Sequence, residues 1–137
     1  IPLGFSSSPG IILWMIAGIL VLAEEGGLEK KVKLISVIKK DKGIRRLAIE
    51  AAQNQDVKRE LDHLTYELSK GHLAGKQPLG HIKGTDIFYL RGERGARLYY
   101  HKISESNAEV IYEIVGKSGK DTTQEKVRRK LEEHYTH

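Results

Sequence analysis

The stretch Gly84–Lys120, GTDIFYLRGERGARLYYHKISESNAEVIYEIVGKSGK, constrains what this chain can fold into more than any other. Three apolar runs, Ile87–Leu90, Leu98–Ile103 and Val110–Val115, are rich in β-branched and aromatic residues and are separated by glycine and polar turns. Such side chains suit a pleated, half-buried surface, so the runs predict a three-stranded antiparallel meander. Alternation sorts each strand into two faces. Tyr89 and Arg91 share one face of the first strand, and Arg97, Tyr99 and His101 share one face of the second. If Arg91 pairs with Arg97 across the loop Gly92–Ala96, the two sets coincide, and Phe88, Leu90, Leu98 and Tyr100 turn away to pack on helices. A loop shorter by one residue moves the second set to the opposite face. Any site on this sheet therefore depends on the register.

The flanks supply the helices. Ile44, Leu47, Ala48 and Ala51 form one apolar stripe, and Val57, Leu61, Leu64 and Leu68 form another at near-heptad spacing. Both read as core packing against the sheet. Asn54 or Asp56 can cap the second helix, and Gly71 can end it. After the sheet, Val127, Leu131 and Tyr135 recur every four residues and predict a closing helix, opened by a capping box between Thr122 and Glu125. Arg128, Arg129 and Lys130 read as its solvated face. The run Leu28–Lys40 is ambiguous. Val32, Leu34, Ser36 and Ile38 alternate weakly, as in a strand, while Leu28, Val32 and Ile35 recur at helical spacing. Its lysines and Glu29 are good helix formers, so we expect a helix. His72–Lys83, with Gly75, Pro78 and Gly80, is expected to be a loop.

Ile1–Ala23 carries no charged residue, and its centre, GIILWMIAGILVLA, is apolar on every side. It approaches the length of about 20 residues that a membrane span needs. It reads either as a helix packed in a core or against a partner, or as a membrane-active segment. Gly26-Gly27 separates it from the rest, which gives an expected organisation of a hydrophobic segment, 1–27, and a folded domain, 28–137. A first residue that is isoleucine suggests a processed product or a fragment of something longer.

The 137 residues carry 23 Lys and Arg against 18 Asp and Glu, a net charge of +5, which favours a polyanion or an acidic protein as partner. The absence of cysteine excludes disulfides, zinc–thiolate sites and cysteine nucleophiles. No paired-carboxylate or His-rich spacing calls for a metal, and no cofactor is expected. The chemistry concentrates on the sheet. Two arginines placed opposite each other repel, but guanidinium forks bind a phosphate set between them. Tyr89 and Tyr99 can stack an unpaired base. Histidine is the side-chain type suited to moving protons near neutral pH, and His101 is the preferred candidate, with His81 second. Lys117 or Lys120 can approach either end of the second strand, and Lys83, His81 and Arg94 make the neighbouring loops basic. These parts suffice for metal-independent RNA cleavage, in which the ribose 2′-OH attacks its own phosphate. A basic hairpin without catalysis accounts for the same residues.

In element order, and in the motifs FYLR, GARLYY and VGKSGK, the chain resembles the RelE-type toxin fold over roughly residues 57–135. That fold belongs to a set of small bacterial RNases (the BECR fold) that includes barnase, the EndoU nucleases and colicin toxin domains. The run GTDIFYLRGERGARLYY…EIVGKSGKDTTQEKV looks closer still to C-terminal toxin domains of contact-dependent growth inhibition effectors. The resemblance implies an α+β RNase toxin, released from a large exported protein, acting in the cytoplasm of a target bacterium and neutralised by a cognate immunity protein. By position it matches Arg91 to the basic residue closing the FYLR strand, Arg97 to the arginine opening the next, and Lys117 and Lys120 to basic residues after the last strand; with His101 taken from the strand pattern as the proton-transfer residue, the expected catalytic set is Arg91, Arg97, His101 and Lys117. RNA contacts would come from Lys83, His81, Tyr89, Arg94, Tyr99 and Lys120. RelE-type proteins often carry a tyrosine where this chain has Thr122–Gln124, so its absence favours tRNA over mRNA as substrate. Ile1–Ala23 would then make transient contact with the inner membrane during uptake. Two rivals remain. One is a non-enzymatic toxin of the same fold that binds a protein such as gyrase, and the other is a membrane-anchored basic adaptor.

Overall fold

The computed structural model describes residues 30–72 and 80–135. In chain order the elements are β1 (Lys31–Ser36), a 3-10 turn (Ile38–Lys40), α1 (Lys42–Ala52), α2 (Gln55–Ser69), β2 (Gly80–His81) and β3 (Phe88–Arg91). A second 3-10 turn (Glu93–Gly95), β4 (Arg97–Glu105), β5 (Glu109–Ser118) and α3 (Asp121–Tyr135) complete them. The strands form one sheet in the order β1-β5-β4-β3-β2. The fold is α+β, as expected. The segment Ile1–Ala23 and the boundary at residue 27 lie outside the described residues. Among those residues, no helix is long and apolar enough to cross a membrane.

The meander forms where the apolar runs predict it, but the sheet has five strands rather than three. Leu28–Lys40 is the main correction. From Lys31 to Ser36 it is a strand and not a helix. Val32 and Leu34 are half-buried while Lys31, Lys33 and Ile35 are exposed. Helix-forming lysines lose here to a β-branched run that can pair along the β5 edge, because packing outweighs propensity. The expected loop His72–Lys83 is interrupted by β2, whose two residues extend the sheet beside β3.

The helices follow their stripes. Ile44, Leu47 and Ala51 of α1, and Val57, Leu61, Leu64 and Leu68 of α2, are all buried. Asn54 caps α2 by accepting bonds from the amides of Asp56 and Val57, at 2.9 and 3.1 Å. Gly71 ends it with a positive φ of 70°. α3 buries Val127 and Leu131 against the sheet at Gly116, where an added Cβ would lie 3.1 Å from Val127 Cγ1. The absent side chain lets the helix lie close to β5. Each such aliphatic side chain contributes about 1.5–3 kcal/mol when fully buried. Among the described residues no capping-box bond joins Thr122 and Glu125; Thr123 ties the chain entering α3, donating to the Lys120 carbonyl at 2.8 Å and accepting from the Gly119 amide at 2.9 Å. Glu125 is engaged by Arg128.

α1 begins at Asp41, whose Oδ1 accepts from the Ile44 amide at 2.8 Å and whose Oδ2 lies 2.8 Å from His134 Nε2 of α3. The amide bond is the main cause that holds the Asp41 carboxyl below its usual range, and His134 acts the same way. A carboxyl depressed on folding stabilises the fold above its unfolded pKa, near 3.9, and loses that contribution as pH falls through the folded value. Asp41→Ala is therefore expected to cost about 1 kcal/mol at pH 7. Asp41→Asn, which keeps an acceptor, should cost less, with its deficit shrinking as pH falls below about 4. Urea melts of the three proteins at several pH values check both.

Candidate nucleic-acid interface

β3 and β4 pair in the register Phe88↔Tyr100, Tyr89↔Tyr99, Leu90↔Leu98 and Arg91↔Arg97. Arg91 and Arg97 thus stand directly opposite each other, on the face that also carries Tyr89, Tyr99 and His101. The Tyr89 ring packs beside both cations, with Arg91 Cζ 5.7 Å and Arg97 Cζ 4.8 Å from its centroid. Among the described residues neither guanidinium forms an ion pair. Tyr89 is only half-buried, and its ring crosses β2 at Gly80, where a Cβ would fall 2.0 Å from Tyr89 Cε1. Each cation–π contact contributes about 0.5–1 kcal/mol at a site this exposed. Repulsion between like charges on paired strands is of the same size. The pair is therefore close to balanced when empty, and a phosphate would add charge-assisted hydrogen bonds of about 1.5–3 kcal/mol each.

The turn between the arginines is held from both sides. The Glu93 amide donates to Glu60 Oε2 of α2 at 3.0 Å, and Gln124 Nε2 of α3 donates to the Gly95 carbonyl at 2.6 Å and the Gly119 carbonyl at 2.9 Å. Gly95 has a φ of +79°, and a Cβ there would lie 2.5 Å from the Gly119 carbonyl oxygen. Arg94 also has a left-handed φ of 59°, and its exposed side chain reaches Asp56 at 3.7 Å. Neither Glu60 nor Gln124 stands out in the sequence, because each acts through contacts 33 and 29 residues away.

Three expected site residues are placed differently. Tyr99 is only 1% exposed, and its hydroxyl is 3.0 Å from Ser118 Oγ. Burial pushes its phenol up, which keeps it neutral. It supports Tyr89, 5.2 Å away between ring centroids, and has no face left to stack a base. Lys117 lies across from Leu98, while Ser118 lies across from Arg97. Lys117 therefore points to the opposite face of the sheet from the arginine pair. His101 shares the arginine face but stands four residues along β4, roughly 13 Å away. Its Nε2 is 2.7 Å from Glu113 Oε1, its Nδ1 is 3.4 Å from Asp86 Oδ2, and Tyr135 packs edge-on against its ring. The two carboxylates beside it and its distance along β4 set His101 apart from the Arg91–Arg97 pair.

The remaining residues surround this frame. His81 pairs with Phe88, so it faces away from the arginines; its ring packs on Phe88 and its Nε2 meets the Thr85 carbonyl at 2.7 Å. Phe88, expected to pack on helices, is 38% exposed beside it. Lys83 and Lys120 are exposed, the first in the turn before β3 and the second at the start of α3.

Sequence reading missed a second cluster of ionisable groups. Asp41 and His134 pair at one side of a cavity of about 370 Å³ that Glu113 and Tyr135 also line. Burial pushes the Tyr135 phenol up, and the negative charges of Glu113, Asp86 and Asp41 push the same way. The cluster ties the end of α3 to α1 and the sheet. Among the described residues, no group of three or more His, Asp or Glu side chains is arranged to hold a metal ion. Comparison with protein-family models, curated proteins and solved structures gives no match for this chain.

Two mutations separate support from contact. Gly95→Ala should destabilise the fold by about 1–3 kcal/mol, because strain and a backbone clash coincide there. His101→Ala should lower the melting temperature, since Glu113 and Asp86 lose the group between them, yet leave the affinity of the folded protein for RNA unchanged. Thermal melts paired with RNA titrations read both quantities. A loss of RNA affinity in His101→Ala at full folding would return His101 to the site.

Proposed function

We propose that this chain is a toxin-type, metal-independent endoribonuclease domain that holds an RNA phosphate between Arg91 and Arg97. The observation that carries this reading is the pair of guanidiniums facing each other across paired strands, braced by one tyrosine ring and unmatched by any described carboxylate. Guanidinium forks match phosphate oxygens, and a partly exposed tyrosine ring beside them offers a surface for a base. Cleavage would proceed by attack of the ribose 2′-OH on its own phosphate, closing a 2′,3′-cyclic phosphate as the P–O5′ bond breaks; water would take the 2′-OH proton and protonate the departing 5′-oxygen, and the two cations would stabilise the added negative charge of the transition state. The resemblance to RelE-type and contact-dependent toxin domains agrees with this assignment and favours tRNA as substrate. A cognate immunity protein and delivery into a target bacterium belong to the same reading.

One observation favours a second reading, in which the domain binds its target without cutting it. The ionisable group nearest in kind to a general base, His101, is engaged by Glu113 and Asp86 at the far end of the same strand face. Inhibition would then come from occupying an RNA or an acidic protein surface.

The full chain, incubated with total bacterial RNA in the presence of EDTA and followed by sequencing of new RNA ends, distinguishes the two. Discrete ends bearing 2′,3′-cyclic phosphate are expected. Arg97→Ala and Arg91→Ala should each lower the cleavage rate by at least a hundredfold, the scale for losing a group that stabilises transition-state charge. Growth inhibition with no new RNA ends selects the binding reading. Unchanged activity in both arginine variants removes the site.

A further inference from the structure

A second cationic surface lies on the helical layer. Across an open groove of about 420 Å³, α1 and α3 face each other with matched side-chain stripes. α1 contributes Arg46 and Glu50, and α3 contributes Lys126, Arg129, Lys130 and Glu133. These positions are spaced by three and four residues, as neighbours on one helix face are. Four cations thus meet two acids, yet Arg46, Lys126 and Lys130 form no ion pair among the described residues. Arg129 reaches only Glu125, at 3.8 Å and outside the groove. The Lys130 stem crosses Gly43 so closely that an added Cβ would lie 2.5 Å from Lys130 Cε, so this lysine is held at the groove floor.

Gln124, which holds the Arg91–Arg97 turn, lies on the sheet-facing side of α3 with Val127 and Leu131, while Lys126, Arg129, Lys130 and Glu133 lie on the opposite side, so a ligand touching both surfaces passes around the N-terminal end of α3. Lys120 is exposed at the same end.

We propose that the α1–α3 groove is a second phosphate-backbone contact, which makes the preferred ligand a folded RNA reaching both the sheet and the helical layer. This extends the reading of the Arg91–Arg97 pair as a phosphate site and depends on it only for the first contact. A short single strand covers one surface, whereas a hairpin or longer folded RNA covers both. Discrimination between them then comes from phosphate contacts and shape rather than base identity.

The test uses the full chain and fully 2′-O-methylated RNAs, which lack the attacking hydroxyl. One probe is a hexanucleotide and the other a stem-loop of about two helical turns. The variant Arg46→Gln/Lys126→Gln changes one exposed residue on each side of the groove. It should weaken stem-loop binding about tenfold and reduce the salt slope by about 2, since each lost phosphate contact removes close to one unit. Hexanucleotide binding should stay within about twofold, the difference expected of exposed positions outside its footprint. The opposite variant, Glu50→Gln/Glu133→Gln, should tighten stem-loop binding, a gain that misfolding cannot produce. Equal effects on the two RNAs, or none on either, overturn the proposal. Loss confined to binding of phosphatidylserine vesicles also overturns it and marks the groove as a membrane-facing surface. If Arg91→Ala/Arg97→Ala leaves hexanucleotide binding intact while the groove variant still loses the stem-loop, the groove stands and the arginine site fails.

Discussion

The pairing of Arg91 with Arg97 across the Gly92–Ala96 turn is the constraint on which the cationic face depends. A strand register is all-or-none, because a shift of one residue exchanges the two faces. This register is secured three times over. Leu90 and Leu98 are buried as a pair, Tyr89 and Tyr99 pack as a pair on the other face, and the turn is pinned by Glu60 and Gln124. Moving the register would expose the leucines, bury the arginines and break both pins. The apolar terms are the larger, so core packing holds two like charges together where their own interaction would part them.

The same strand face has two electrostatic ends. At the β3–β4 turn lie Arg91 and Arg97, without carboxylate partners among the described residues. At the other end His101 meets Glu113 and Asp86, with Asp41, His134 and Tyr135 nearby. Tyr99 separates the two ends as a buried wall. An anionic ligand is therefore drawn to one end and repelled from the other. A phosphodiester chain bound as proposed would be oriented away from His101.

The β4–β5 ladder explains why His101 meets Glu113. Tyr99 pairs with Gly116 but Tyr100 pairs with Ile114, which leaves Val115 as an extra residue on β5. That bulge shifts the partner of His101 from Ile114 to Glu113. A histidine that regular pairing would leave beside an aliphatic residue is instead bonded to a carboxylate. Alternation alone places His101 on the arginine face, which is right, but it carries no information about an extra residue on the neighbouring strand.

Much of this protein was legible from local pattern. The meander, the two apolar stripes before it and the closing helix follow from periodicity, because that term acts between residues close in the chain, while the pairing of Arg91 with Arg97 stood as one of two registers until the structure decided it. Four matters did not follow. Leu28–Lys40 became a strand because a β5 edge was there to pair with, against the preference of its lysines. Tyr99 lost its surface role because α3 approaches closely at Gly116. Lys117 turned away because its opposite number is Leu98. Glu60, Gln124 and Glu113 gained roles through partners far away in sequence. The sequence by itself determined the meander, the helices on either side of it and the alternation of charged and apolar side chains along each strand. Only the tertiary structure decided which charges meet, because partners brought together across the sheet and from separate helices leave no periodic trace in the chain.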